Sequence, residues 1–479
     1  MSNEQILIST SPGETRTALL SGGRLTEIWI DRVGGSSLVG NIYLGRVGTV
    51  SPGLNAAFVS FGQAQDGFLS LPEARPVGKT GGKIGDFARE GDAVVVQVQR
   101  DPVEDKGAKL TTHINLAGAF LIFRPHQAGI TVSRRITEAS ERERLTALVA
   151  DVPPDTGGFI VRTQAAEAKE VDIRKEAAYL TARWREIDAQ VQSSSAPAQV
   201  YAEVDPACRA VRDFGGALKD GVVIDDTETL NRVRGYCDAH VPWVLPGVSH
   251  HKGNQDLFEA FEVAEQIDAA FQSRVTLPGG GSLIIHQTAA LTAIDVNTGE
   301  QKAYEANLEA ATEAARQIRL RNISGLIVID FVPLRDDGQK KDILAALRTA
   351  AAGDPLGLNV AGYTRLGLVE MTRPRHGLSL RDVLGGVGFG EMRKSFETQA
   401  LDLLRRVGAQ ARGGAGVTIK APAGVIAALK GAGVAGTTAA LALKQVQDRL
   451  GLVIGLDTEH TLADGQFDII VGGGNGAKR

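Results

Sequence analysis

The stretch from Leu291 to Phe331 leaves the chain little choice of local structure. Leu291-Thr-Ala-Ile-Asp-Val-Asn alternates and is rich in β-branched residues, the pattern of a strand ending at Asn297-Thr-Gly. Leu308, Ala311, Ala315 and Ile318 then recur at three- and four-residue spacing, which predicts a helix over 307–321. Gly325-Leu-Ile-Val-Ile-Asp-Phe is a nearly continuous apolar run, as expected for a strand buried within a parallel sheet. Strand, helix and strand predict a right-handed βαβ unit.

Asp295 and Asp330 fall near the carboxyl ends of these two strands, where open α/β sheets place their sites. If the strands are neighbours, both carboxylates could hold one hard cation, since Mg²⁺ takes one or two carboxylates and keeps several waters. Asn297, two residues beyond Asp295, shares its face of the pleat, so its amide could orient that carboxylate. The competing reading is structural: a strand-end Asp often caps the following helix. Spacing alone leaves both readings open and leaves the substrate undetermined.

A chain of 479 residues is too long for one core, so several compact units are expected. Its 43% hydrophobic and 23% charged content belong to soluble globular protein. No long apolar run predicts a membrane span, and Met1-Ser-Asn-Glu-Gln-Ile lacks a secretory pattern. Cys208 and Cys237 form no Cys-x-x-Cys pair, which argues against a disulfide scaffold or a zinc site and for the cytoplasm. A net charge of −4 does not mark a nucleic-acid binder, so any RNA contact must rest on local cations. Arg316, Arg319 and Arg321 form one such group, and Arg365, Arg373, Arg375 and Arg381 another; a solvated face fits each equally well.

Residues 5–30 read as a strand and a hairpin around Ser21-Gly-Gly-Arg. Five short strands between 39 and 114 suit a small barrel, with 78–85 as a surface loop. Strand-like 120–123 and 159–163 precede a helix around 177–187 and a linker at Ser193-Ser-Ser-Ala-Pro-Ala. Gly78-Lys-Thr lacks the upstream glycine of a phosphate loop, and adjacent His250 and His251 point apart, which favours surface placement. Gly385-Gly-Val-Gly-Phe-Gly reads as a hinge, and the tail from Gly472 as disordered.

Ala293-Ile-Asp-Val-Asn-Thr-Gly, Arg316-Gln-Ile-Arg-Leu-Arg and Gly325-Leu-Ile-Val-Ile-Asp-Phe closely resemble the catalytic core of the ribonuclease E/G family. Asn41-Ile-Tyr-Leu-Gly-Arg-Val, Ala56-Ala-Phe-Val-Ser-Phe-Gly and Asp66-Gly-Phe-Leu resemble its OB-fold, of the kind found in ribosomal protein S-one. Gly158-Phe-Ile-Val-Arg-Thr resembles its 5′-end sensor, and Gln466-Phe-Asp-Ile-Ile-Val its small C-terminal domain. The resemblance implies an α/β multidomain chain. Residues 1–36 and 204–272 would form an RNase H-like subdomain, with an OB-fold at 37–117 and a 5′-sensor at 118–203 inserted. A DNase I-like catalytic subdomain at 273–384, a glycine-rich linker at 385–398 and a small α/β domain at 399–479 would follow.

It further implies a Mg²⁺-dependent endoribonuclease, with Mn²⁺ an acceptable substitute, that cuts single-stranded A/U-rich RNA to 5′-phosphate and 3′-hydroxyl ends in RNA decay or ribosomal RNA processing. Asp295 and Asp330 would be the metal ligands, with Asn297 supporting Asp295. Phe58 and Phe68 would stack on bases and Lys106 would meet the RNA backbone. Arg162 and Thr163 would hold a 5′-monophosphate, and a homodimer or higher homo-oligomer is expected. The chain departs from the family in three places. The Cys-x-x-Cys through which two protomers share a zinc is absent, so no zinc is expected, and no long acidic or Pro-rich tail is seen after the small domain, so the shorter, G-type enzyme is the expected match. The segment between Asn297 and Asn307 is also shorter than usual, which leaves open a catalytically weak or inactive RNA-binding protein of the same fold.

Overall fold

The computed structural model describes residues 4–33, 37–102, 106–150, 157–166, 168–253, 255–375, 377–385, 393–410, 416–431, 437–463 and 465–471. The chain divides into two compact units, one of residues 1–36, 219–231 and 248–479, the other of residues 37–218 and 232–247.

In the second unit, strands Ile42–Ser51, Ala56–Ser60, Gly67–Ser70, Lys109–Thr111 and Ala93–Arg100 pair in that order. Ile42–Ser51 also pairs with Ala93–Arg100, closing an OB-like barrel of five strands. Alternation decides what fills it: Ala57, Val59, Phe61, Leu69, Val96 and Leu110 point inward and are buried. Beyond the barrel, strands Gly129–Val132, Gly158–Val161, Leu121–Arg124 and Leu116–Ala117 form a second sheet. Helices Ala139–Ala150 and Glu170–Ser193 accompany it. The expected helix at 177–187 is thus only the middle of a longer one. The expected linker after it is short, because Ala198–Tyr201 pairs antiparallel with Ile42–Ser51.

In the first unit, a sheet of order Val248–His250, Leu218–Ile224, Glu4–Ser11, Glu14–Ser21 and Arg24–Arg32 brings the start of the chain beside its middle. The hairpin turn works because Gly22 and Gly23 take φ of +57° and +76°, the left-handed conformation such turns need.

A second sheet in this unit runs Arg274–Thr276, Ser282–Gln287, Thr292–Asn297, Gly325–Asp330, Val369–Arg373, Asn359–Tyr363. Its central pair, Thr292–Asn297 and Gly325–Asp330, is parallel and its other pairings are antiparallel. Helices Ala303–Leu320 and Asp337–Ala351 pack on one face, where Ile294, Val296, Ile327 and Ile329 meet Ala311, Ile318, Ile343 and Leu347. The other face is uncovered at the central strands. Gly325–Asp330 was expected to be buried, yet Leu326 is 57% exposed and Asp330 is exposed. The apolar run reflects one covered face only.

The last part of the first unit packs helices Phe396–Gln410, Ala423–Leu429 and Thr438–Leu450 with strands Val417–Ala421, Ile454–Thr458 and Asp468–Val471 around a core of its own. Most of the glycine-rich hinge, 386–392, and the tail from 472 lie outside the described residues. Among the described residues no helix is long and apolar enough to cross a membrane.

Candidate active site

Parallel pairing sets Asp295 directly beside Asp330 in register, on strands about 4.8 Å apart. Partners in register point to the same side of a sheet, and here that is the open side. Both carboxylates are exposed, while Ile294, Val296 and Ile329 beside them are buried on the helix side. Asn297 donates from Nδ2 to Oδ2 of Asp295 at 2.9 Å, as the two-residue spacing predicts.

Neither aspartate caps a helix. Lys302 stands at the N-cap of Ala303–Leu320, and Asp336 caps Asp337–Ala351 by accepting from the amides of Gly338 and Gln339. The Asp330 carboxylate has no hydrogen bond or ion pair among the described residues. Like charges directly opposite in a sheet are destabilising by some tenths of a kcal/mol to about 1 kcal/mol, and among the described residues only the neutral Asn297 amide meets this pair. The donor set fits a hard cation: two carboxylates and an amide give oxygen ligands and leave room for water and phosphate. Among the described residues no group of three or more His, Cys, Asp or Glu that could hold a metal ion gathers, so water and phosphate would have to complete the shell of an ion on these two carboxylates.

One positioning residue escaped the sequence reading. Asn307, fully buried, donates from Nδ2 to the Val332 carbonyl at 2.8 Å and accepts from the Val332 amide at 3.0 Å. It clamps the chain just past Asp330 to the helix. A polar side chain on the stripe shared by Ala310, Ala311 and Ala314 was the available signal.

On the barrel, Phe58 and Phe68 are cross-strand partners with rings 5.9 Å apart, edge to face. Both are half-buried on the outer surface, whereas Phe61 lies inside with 2% exposure. Lys106 is exposed. Lys109, the register partner of Phe68, is ion-paired with Glu73 at 3.0 Å.

Arg162 and Thr163 directly follow the strand Gly158–Val161, where Thr163 opens a short 3-10 turn. Arg162 Nη1 donates to the Gly118 carbonyl and to Asp213 Oδ1 at 2.8 Å, and the Thr163 and Ser133 hydroxyls lie 2.9 Å apart. Arg212 in turn grips Asp213 through Nε at 3.2 Å and Glu203 through Nη1 at 2.9 Å. Burial works to raise the Asp213 carboxyl, but the guanidinium groups of Arg212 and Arg162 outweigh it and hold it below the usual carboxylate range. Asp213 therefore stays charged and anchors Arg162. This role was not read from the sequence, since Asp213 lies 51 residues from its partner.

The first arginine group turns out to be structural, and the second only at Arg373. Arg316 pairs with Glu313, Arg319 with Glu27, and buried Arg321 donates to Gln317. Arg373 is buried against Asp354 at 2.8 Å, while Arg365 and Arg375 are exposed. His250 and His251 each meet a nearby backbone carbonyl.

A model of the ribonuclease E/G family matches residues 115–376 of the 479. Ribonuclease G of Escherichia coli strain K12 is 36% identical over 426 residues, spanning 84% of this chain and 87% of its own length. The chain belongs to the ribonuclease E/G family. Ribonuclease G of Haemophilus influenzae is likewise 36% identical over 426 residues. Ribonuclease E of a Nostoc species is 36% identical over 365 residues, 73% of this chain and 53% of its own length. The family match contains Asp295, Asn297, Asp330, Arg162 and Thr163; Phe58, Phe68 and Lys106 precede it.

Proposed function

We propose that this chain is an endoribonuclease of RNA processing that hydrolyses internal bonds of single-stranded, A/U-rich RNA to 5′-phosphate and 3′-hydroxyl ends, with one Mg²⁺ or Mn²⁺ held by Asp295 and Asp330. The observation that carries this reading is the in-register pair of exposed carboxylates, neither of which serves as a cap. Relatives named Ribonuclease G and Ribonuclease E supply the reaction class. Such an ion, when bound, supplies an activated water and neutralises charge on the phosphate. The chain's own residues do the positioning. Asn297 fixes the rotation of the Asp295 carboxylate, Asn307 fixes the exit of the strand that bears Asp330, and the open face admits a strand of RNA. Incubation of the protein with a 5′-monophosphorylated A/U-rich oligonucleotide tests this: cleavage with Mg²⁺ and none with EDTA is expected. Cutting that survives EDTA, or tight binding with no cutting, would refute the metal-dependent enzyme.

The outward rings of Phe58 and Phe68 suit base stacking, and Lys106 suits a phosphate of the same strand. Stacking contributes roughly 1–3 kcal/mol per base, so Phe58→Ala should weaken oligonucleotide affinity about tenfold, with the buried core intact. Equal affinity of Phe58→Ala and the parent in a filter-binding assay would remove the barrel from RNA recognition.

Arg162 and Thr163 suit a 5′-phosphate, the guanidinium offering a fork and the hydroxyl a further donor. Arg162→Gln should shrink the rate difference between 5′-monophosphate and 5′-hydroxyl substrates by roughly tenfold. Asp213→Asn, which frees Arg162 from its anchor, should move the same ratio in the same direction. An unchanged ratio in both would mean the phosphate is read elsewhere.

No zinc is proposed. Cys208 and Cys237 are buried, and burial pushes the Cys237 thiol up to about 11, far from the thiolate a zinc needs. Metal analysis of purified protein should find none; one zinc per two chains would overturn this.

A further inference from the structure

Behind the Arg162 cluster, whose Gly118 and Arg212 help to line it, the unit formed by 37–218 and 232–247 carries a cavity of about 140 Å³. Its wall carries the rings of Tyr179, Tyr201, Tyr236, His240 and Trp243, together with the already paired charges of Glu176, Arg183 and Arg212. Tyr179 and Tyr236 lie 4.5 and 4.8 Å from His240, centroid to centroid. Trp243 is held by stacking on Phe120 at 4.5 Å, and the Arg183 guanidinium sits 5.4 Å from the centre of Tyr201.

One polar tip among these rings is both buried and unpaired among the described residues. Trp243 Nε1 is buried with no acceptor. The hydroxyls of Tyr179, Tyr201 and Tyr236 make no hydrogen bond among the described residues but, unlike Trp243 Nε1, remain open to water. A buried donor left unpaired costs roughly 1–3 kcal/mol, so Trp243 Nε1 beside this void calls for an acceptor to fill it. Burial raises all three phenols, so they remain protonated and can both donate and accept. Burial, and then Arg183, lowers the His240 imidazole, which favours its neutral form. The complement of such a wall is a flat, uncharged ring with donors and acceptors on its edge. A void of this size takes about one six-membered ring. At the rim, exposed Lys175 has no ion pair among the described residues, beside Asp172 and Asp238.

We propose that this cavity is a binding site for a single pyrimidine base, presented by a free nucleotide or by a strand of RNA. It is independent of Asp295 and Asp330, whose asparagine variants should bind the base unchanged. The probes are UMP and AMP in titration calorimetry, and an RNA carrying one 4-thiouridine in photocrosslinking. UMP should bind at least about tenfold tighter than AMP if the base comes from a nucleotide. If it comes from a strand, crosslinks should map to the peptide containing 236–243. Tyr179 is 43% exposed, so Tyr179→Ala should fold, yet weaken binding or crosslinking roughly tenfold. Tyr236→Phe, which keeps the ring and removes only the hydroxyl, should weaken it several-fold. Absence of both UMP binding and a crosslink at 236–243 would overturn the proposal. So would binding that neither variant changes, or a preference for AMP.

Discussion

Asp330→Asn is expected to lower the rate of RNA cleavage by at least about 10²-fold while leaving RNA affinity within about twofold. The substitution keeps the shape of the side chain and the backbone pairing with Thr292–Asn297, and removes only the charge. Since no described residue bonds to this carboxylate, its loss should not unfold the strand. The melting temperature should stay level or rise slightly, because a like-charge neighbour of Asp295 disappears. That combination separates a catalytic role from a structural one, which would show as lost stability. Asn297→Ala should be milder, roughly 10- to 100-fold, with a higher Mg²⁺ requirement, because it loosens the orientation of Asp295 and leaves both carboxylates present. Undiminished cleavage by Asp330→Asn, measured on the same oligonucleotide at saturating Mg²⁺, would end the carboxylate mechanism.

Much of this site was legible because it is written in short-range periodicity. The alternation of Thr292–Asn297 already puts Asp295 and Asn297 on one face, and the hydrogen bond between them follows. The barrel interior was equally readable, since Phe61 and Phe58 must face opposite ways. What the sequence hid depends on partners far along the chain. Arg319 looked available for RNA, yet its partner Glu27 lies 292 residues away. Arg373, which carries the same formal charge as exposed Arg375, is buried by Asp354. The open face of the catalytic sheet was hidden for a different reason: Leu326 and Val328 are apolar on the exposed side, so Gly325–Asp330 resembles a strand covered twice. Helix Ala139–Ala150 went unread because its buried face is only Leu145, Leu148 and Val149 among charged residues.

Glu14→Gln should destabilise the first unit by about 3–5 kcal/mol, a fall in melting temperature of roughly 6–20 °C. The Glu14 side chain has no solvent exposure and accepts from Arg16, from Arg32 at 2.9 Å and from Arg405 at 3.2 Å. Arg16 and Lys394 also converge on Asp402, at 2.7 and 2.8 Å. The cluster ties strands Glu14–Ser21 and Arg24–Arg32 to helix Phe396–Gln410, so the earliest and latest parts of the unit depend on one carboxylate. Removing its charge leaves three guanidinium groups with too little negative charge in a place water does not reach. Burial alone would raise the Glu14 carboxyl, but Arg16, Arg405 and Arg32 together hold it below its ordinary value. Burial would likewise raise Asp402, and Arg16 and Lys394 reverse it. For groups depressed on folding, the unfolded chain takes up protons first. Their stabilisation is therefore complete above the ordinary carboxylate pKa of about 4 and is lost as pH falls toward the folded values. The parent protein should accordingly lose stability steeply below about pH 4, and Glu14→Gln, already deprived of one such group, should lose it with a shallower slope. Urea unfolding midpoints across that pH range measure both curves; parallel curves would mean that Glu14 does not carry the acid sensitivity.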